Sequence, residues 1–89
     1  METPRPVIIG AKPVANYALA VAARFGQGEE VVLLRARGDL VAKAVSAANM
    51  AANMGFARRP TTARIGQENG PEGKPVSFIE IELEPAVAS

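Results

Sequence analysis

Cysteine and histidine are both absent from this 89-residue chain, which removes thiolate and imidazole chemistry together. No disulfide can form, and neither a cysteine–histidine nucleophile nor the usual zinc ligand sets have material to draw on. Tryptophan is missing too, and aromatic residues make up only 4% of the chain. The apolar share of 48% rests heavily on alanine, whose small side chain lets a helix lie close to a sheet. Long apolar runs are also lacking. Arg24 and the glycines at 26 and 28 interrupt the longest candidate well before the roughly eighteen residues a membrane helix needs. The first residues, "METPRPVIIGAKP", hold an apolar run of three and do not resemble a secretory signal. These absences lead us to expect one small soluble domain of the reducing cytoplasm, with no membrane contact, metal or cofactor.

The charge that is present is unevenly placed. A net +1 conceals a balance of +5 over residues 1–64 (nine Lys/Arg, four Asp/Glu) and −4 over residues 65–89 (Lys74 against five glutamates). Placement therefore says more than the sum.

Apolar periodicity predicts the elements. Val7–Ile9, bounded by Pro6 and Gly10, reads as a short buried strand. Pro13 suits the first position of a helix that carries Val14, Ala18, Val21 and Phe25 on one stripe and stops at "GQG". "EEVVLLRA" (29–36) predicts a second strand, covered on both faces because four apolar residues run together. "RGD" (37–39) is the turn, with Asp39 as N-cap of a helix over about 40–54 whose apolar face is Leu40, Val41, Ala44, Val45, Ala48 and Ala52. "TTARIG" (61–66) and "VSFIEIEL" (76–83) are two further strands. The latter sets Ile79, Ile81 and Leu83 against Phe78, Glu80, Glu82 and Glu84. The intervening "QENGPEGKP" predicts a long exposed loop, so that 66–75 forms a mobile hairpin arm. The order β-α-β-α-β-β over residues 1–89 is an α/β two-layer sandwich in one domain. The βαβ unit makes its two strands parallel, so the turns "GAKP" and "RARGD" leave the same edge of the sheet and bring Lys12 near Arg37.

Several chemistries can be weighed on these residues. "GAKP" matches neither the P-loop nor the dinucleotide-binding glycine pattern. Glu80, Glu82 and Glu84 share a strand face, which reads far more readily as a solvated face than as an acid–base pair. "RGD" in a chain with no secretory signal is coincidence. Lys12 and Arg37, beside two helix N-termini, could attract phosphate, and the hairpin, with Arg64, Lys74, Gln67 and Asn69, could enter a groove. Ordinary surface charge explains the same residues equally well.

Three blocks, in order and over nearly the whole chain, resemble the Alba family of archaeal chromatin proteins. "IIGAKPVANYALAV" is similar to its I-G-K-K-P-x-x-N-Y start. "VVLLRARGDLVAKAVSAA" resembles its strand running into A-R-G-x-x-[IV]-x-K-A-V, and "VSFIEIEL" its S-x-I-E-I strand. The resemblance implies a fold like the C-terminal domain of bacterial translation initiation factor three. It also implies a non-enzymatic, chromosome-associated dimer that binds double-stranded DNA, and often RNA, with little sequence preference. The alternative it leaves is an RNA-binding ribonucleoprotein subunit. Lys12 then matches the second lysine of the first loop, Gly10 and Pro13 shape that loop, and Asn16 falls on the N-Y pair. Arg37 is the arginine of A-R-G, and Arg64 and Lys74 are basic groups of the hairpin stems. Phe56 matches a phenylalanine through which neighbouring dimers touch. Ala11, Asp39, Glu68 and Glu72 depart from the pattern, each removing or opposing a phosphate contact, the two glutamates at the hairpin tip. That implies a weaker paralogue, homodimeric or paired with a more basic partner. Independently, so small a core has much to gain from a shared face, expected at the second helix and the neighbourhood of the closing strand.

Overall fold

The computed structural model describes residues 5–60 and 62–86 and contains four strands, β1 (Val7–Ile8), β2 (Val32–Arg37), β3 (Thr62–Asn69) and β4 (Pro75–Leu83), with helices α1 (Val14–Gly26) and α2 (Val41–Asn53). The expected strand start at residue 61 and the tail at 87–89 lie outside the described residues. The sheet order is β1-β2-β4-β3. β1 and β2 are parallel, with Val7 opposite Leu34 and Ile8 opposite Arg35, while β4 runs antiparallel to both β2 and β3. The α/β two-layer sandwich in the order β-α-β-α-β-β is therefore the observed architecture.

Alternation along each strand decides which face is buried. Val32, Leu34 and Ala36 of β2 and Ile79, Ile81 and Leu83 of β4 are buried on one face, together with Val7 and Ile9. Tyr17, Ala18 and Val21 of α1 close over them, as do Ala44, Ala47, Ala48 and Ala51 of α2. Leu34 sits between Val7 and Ile81 in the register and is fully buried. Leu34→Ala should cost about 2–5 kcal/mol, the lost transfer energy plus a cavity. In a domain of this size each kcal/mol lowers Tm by roughly 4–8 °C. Calorimetry showing a fall of under about 5 °C would mean the core repacks around the gap.

Four expectations need correction. β2 is not buried on both faces: Leu33 and Arg35, on the side away from the core, are only half-buried. The face of α2 is rotated towards Ala47 and Ala51, and Val45 is exposed, because four alanines let α2 settle flat on β2 and β4. Asp39 is not a helix cap. It lies within a 3-10 turn (Gly38–Leu40), the cap position falls on Leu40, and no side chain bonds the first turn. The strand-to-helix connection uses that extra turn to change direction, leaving Asp39 one residue outside the capping position. The hairpin is likewise not a long loop. β3 and β4 stay paired out to Asn69 and Pro75, leaving a tip of residues 70–74 around a 3-10 turn (Pro71–Gly73).

Side-chain anchoring explains the longer ladder. Phe78 lies over Gly66, where a β-carbon would stand 2.9 Å from the ring, so only glycine allows that approach. Glu68 is tied back to β2 by ion pairs. Lys74 accordingly stands at the tip rather than on a stem, Arg64 lies within β3, and Glu68 is on a strand rather than at the tip.

Candidate nucleic-acid interface

The parallel β1–β2 pair continues past Ile8, with the Ile9 N–H donating to the Arg35 carbonyl at 2.9 Å. Carrying the register on by two residues brings Gly10 level with Arg37, so the β1–α1 loop and the end of β2 share one end of the sheet. The chain then turns at Pro13 (φ −58°, ψ 152°), extended backbone that ends where α1 begins. Free N–H groups of the first turn of α1 point the same way.

The loop itself is fixed from below. The Tyr17 hydroxyl accepts from the Gly10 N–H at 2.8 Å and from the Lys12 N–H at 3.2 Å. Lys43, one turn into α2, donates through Nζ to the Gly10 carbonyl at 2.7 Å and sits 5.6 Å from the Tyr17 ring centre. A β-carbon on residue 10 would stand 3.3 Å from the Tyr17 oxygen, tighter than ordinary contact, which explains the glycine there. With its backbone held, Lys12 projects into solvent, exposed and without an ion-pair partner among the described residues. Asn16, one turn further on, is exposed as well. Tyr17→Phe should strip two buried-side N–H groups of their acceptor and cost about 1–3 kcal/mol. Amide exchange at residues 10 and 12 should accelerate with it; unchanged exchange there would show that the phenol does not hold the loop.

Three further basic residues, Arg35, Arg37 and Arg64, lie on the outer face of the sheet, opposite the helices, and are already engaged. Arg35 meets Glu80 at 3.2 Å and Glu68 at 3.1 Å, Arg37 meets Glu68 at 3.3 Å, and Arg64 meets Glu80 at 3.2 Å. Phe78 lies among them, with the Arg35 guanidinium 4.5 Å and that of Arg64 5.8 Å from its ring centre. Such contacts orient the guanidinium planes as well as attract them. Glu80 thus belongs to a salt-bridge ladder, and Glu84 pairs with Arg58 at 3.6 Å. Among the described residues no cluster of three or more acidic, histidine or cysteine side chains could hold a metal.

Of the residues singled out in the sequence, Gly10, Lys12, Pro13, Asn16 and Arg37 gather at one end of the sheet. Arg64 lies on the outer face and Lys74 at the arm tip. Phe56 is half-buried and packs against the core. Tyr17, Lys43, Arg35 and Phe78 were not singled out as functional. Periodicity could not expose them, because their roles are contacts across 5 to 45 positions. The neighbouring K-A-V and N-Y segments were the available signal.

A second surface adjoins this one. Ala63 and Ile65 of β3 lie on the same side of the sheet as the buried Ile81 and Ile79, yet no helix covers them, and Ile65 is 74% exposed. Ala63, with Val45, Ala48 and Asn49 of α2 and Pro60 and Thr62, lines a groove of about 290 Å³, floored by Ile79 and Ile81.

A two-layer α/β domain with cations gathered at one sheet end and an uncovered apolar flank is the class this geometry defines. The chain belongs to the Alba family, whose sequence profile matches residues 7–55. It is 47% identical over 47 residues to the DNA/RNA-binding protein Alba of Methanoculleus marisnigri, covering 53% of this chain and 52% of that one. It is 42% identical over 50 residues to its namesake of Pyrobaculum islandicum, covering 56% and 54%. The chain thus spans about half the length of the curated relatives it matches. Among solved structures, Alba from Thermoplasma volcanium superposes with a TM-score of 0.77 at 32% identity, covering 90% of this chain and 99% of that one. ALBA1 from Trypanosoma brucei gives 0.80 at 22% identity over 94% and 72%, a likeness of fold.

Proposed function

We propose that this chain binds nucleic acid through its phosphate backbone, without sequence preference, as a dimer that shapes double-stranded DNA in chromatin. Relatives named DNA/RNA-binding proteins support nucleic-acid binding as such. The single observation that carries the reading is the anchored loop. Lys12 is an exposed cation, unpaired among the described residues, on a backbone braced by Tyr17 and Lys43, beside a helix N-terminus. Bracing matters because an oriented cation loses less freedom on meeting a phosphate. Gly10, Pro13 and Asn16 shape and flank that contact, while Arg37, Arg64 and Lys74 extend it towards the arm.

Dimerisation is supported by the uncovered flank of β3 beside α2, an exposed apolar edge that a monomer would leave in water. Two copies joined there would present two loops and two arms to one duplex. Phe56 stands just beyond α2 as the candidate contact between neighbouring dimers, and a more basic paralogue could replace one copy. An RNA-binding role in a ribonucleoprotein uses the same cations, because backbone phosphates are common to both polymers and only 2′-hydroxyl contacts separate them.

The test is binding of unrelated duplexes of equal length, in DNA and RNA form, over a salt titration. Affinities that agree among sequences and fall linearly on a log–log plot support the proposal. Absence of binding at low salt, or a strong preference for one sequence, refutes it.

A further inference from the structure

Glu68 occupies an unusual position. Its carboxylate reaches from β3 over the intervening β4 to two arginines of β2, meeting Arg35 at 3.1 Å through Oε2 and Arg37 at 3.3 Å through Oε1. The span is two strand spacings, roughly 10 Å between backbones. Phe78 lies beneath this bridge on Gly66, and the Arg35 guanidinium stacks 4.5 Å above the ring centre. Two arginines and one carboxylate are thereby assembled on a sheet face whose arginines the interface would otherwise offer to phosphate.

The bridge is unequally made. Oε2 accepts a hydrogen bond from Arg35, but Oε1 is shielded from solvent and accepts none among the described residues; Arg37 Nε is near enough to pair but poorly aimed. A shielded carboxylate oxygen without a hydrogen bond is costly. A tetrahedral phosphate, which offers more acceptor directions to a guanidinium fork, can replace such a contact. Arg37 is 52% exposed and so can be approached from solvent, whereas Glu80 lies deeper and is shared by Arg35 and Arg64.

We propose that Glu68 is a built-in stand-in for a backbone phosphate, an intramolecular latch that holds Arg35 and Arg37 and pins the hairpin arm to the sheet until a polyanion displaces it. The proposal rests on the phosphate-binding reading above and adds a regulatory step to it. Since Glu68 lies on the arm strand two residues before the tip, occupying Arg37 and freeing the arm become one event. A single weakly charged anion competes poorly with a tethered carboxylate, so the latch favours polyphosphate chains over isolated anions.

Glu68→Gln keeps the shape and removes the charge. Glu82→Gln removes the same charge from an exposed position on the same face with no ion pair among the described residues, and so measures the effect of net charge alone. The latch predicts that Glu68→Gln binds a 20-base-pair DNA duplex about fivefold or more tightly than wild type, with a steeper salt slope, while Glu82→Gln changes affinity by less than about twofold. Without any nucleic acid, the amides of residue 68, Gly70 and Val76, which bond across the β3–β4 ladder, should exchange severalfold faster in Glu68→Gln than in wild type. Inorganic pyrophosphate added to wild type should produce the same acceleration. Equal affinities for the two variants, or arm exchange indifferent to both the substitution and pyrophosphate, overturn the latch. If wild type fails to bind duplex at low salt, the proposed function falls, and the exchange measurements still decide the latch. If Glu68→Gln does not fold, the pyrophosphate experiment on wild type decides alone.

Discussion

Changing Lys12 and Arg37 together to alanine should weaken binding to duplex DNA by roughly 10- to 100-fold near 0.1 M salt and flatten the salt dependence by nearly two units for each engaged subunit. Each phosphate neutralised releases most of one condensed counterion, so each lost contact removes a nearly fixed increment of slope whatever the sequence. The two residues should not contribute equally. Lys12 has no ion pair to break among the described residues, whereas Arg37 must exchange Glu68 for phosphate. Lys12→Ala should therefore carry the larger share, and Arg37→Ala the smaller. Fluorescence anisotropy on labelled duplexes at four or five salt concentrations measures both quantities. A double variant with wild-type affinity and slope would place the contact elsewhere. The reverse ranking, with Arg37 dominant, would mean that its pair with Glu68 is too weak to compete.

The second large effect concerns assembly. Ile65→Asp should convert the proposed dimer to a monomer of 9.3 kDa while leaving its helical and strand content intact. Ile65 contributes little to the fold of a single chain, being 74% exposed, but it lies on the same face of β3 as Ala63, which lines the groove, so a dimer closed over that face of β3 would desolvate its side chain. An unpaired carboxylate buried at such a contact costs on the order of 3–5 kcal/mol, equivalent to a dissociation constant raised by about 10²- to 10⁴-fold. Light scattering across a concentration series distinguishes the species. Duplex affinity should fall in step, because a monomer presents one loop and one arm instead of two. If Ile65→Asp remains dimeric, the shared face lies elsewhere on the chain.

Local signals made the skeleton of this fold legible. The strand–proline–helix start at Val7–Val14, the alternation in Val76–Leu83 and the parallel pairing forced by a βαβ unit all depend on neighbouring residues, and the structure has them. That same βαβ topology put Lys12 and Arg37 at one end of the sheet. Other features were hidden because their causes are distant. The extra reach of β3 and β4 depends on Phe78 covering Gly66 and on Glu68 finding Arg35, a separation of 33 positions. A segment rich in glycine and proline reads as loop until those partners are known. Asp39 met every local criterion for a cap, yet the 3-10 turn that displaces it is set by how α2 must lie on the sheet. The rotation of α2 was concealed by its alanines, which look alike on every face. Tyr17 entered the sequence reading only as part of the N-Y pair, though its ring is buried and its oxygen organises the loop above.

The contact between Phe78 and Gly66 also bears on how this sequence can change. A side chain at 66 has nowhere to go while the ring occupies that space. A smaller residue at 78 would open the space but remove the surface on which Arg35 rests. Neither position can drift alone without disturbing the arginine above them. Variation in lineages descended from this chain should therefore arrive as paired exchanges, a larger residue at 66 with a smaller one at 78, accompanied by a new neighbour for Arg35.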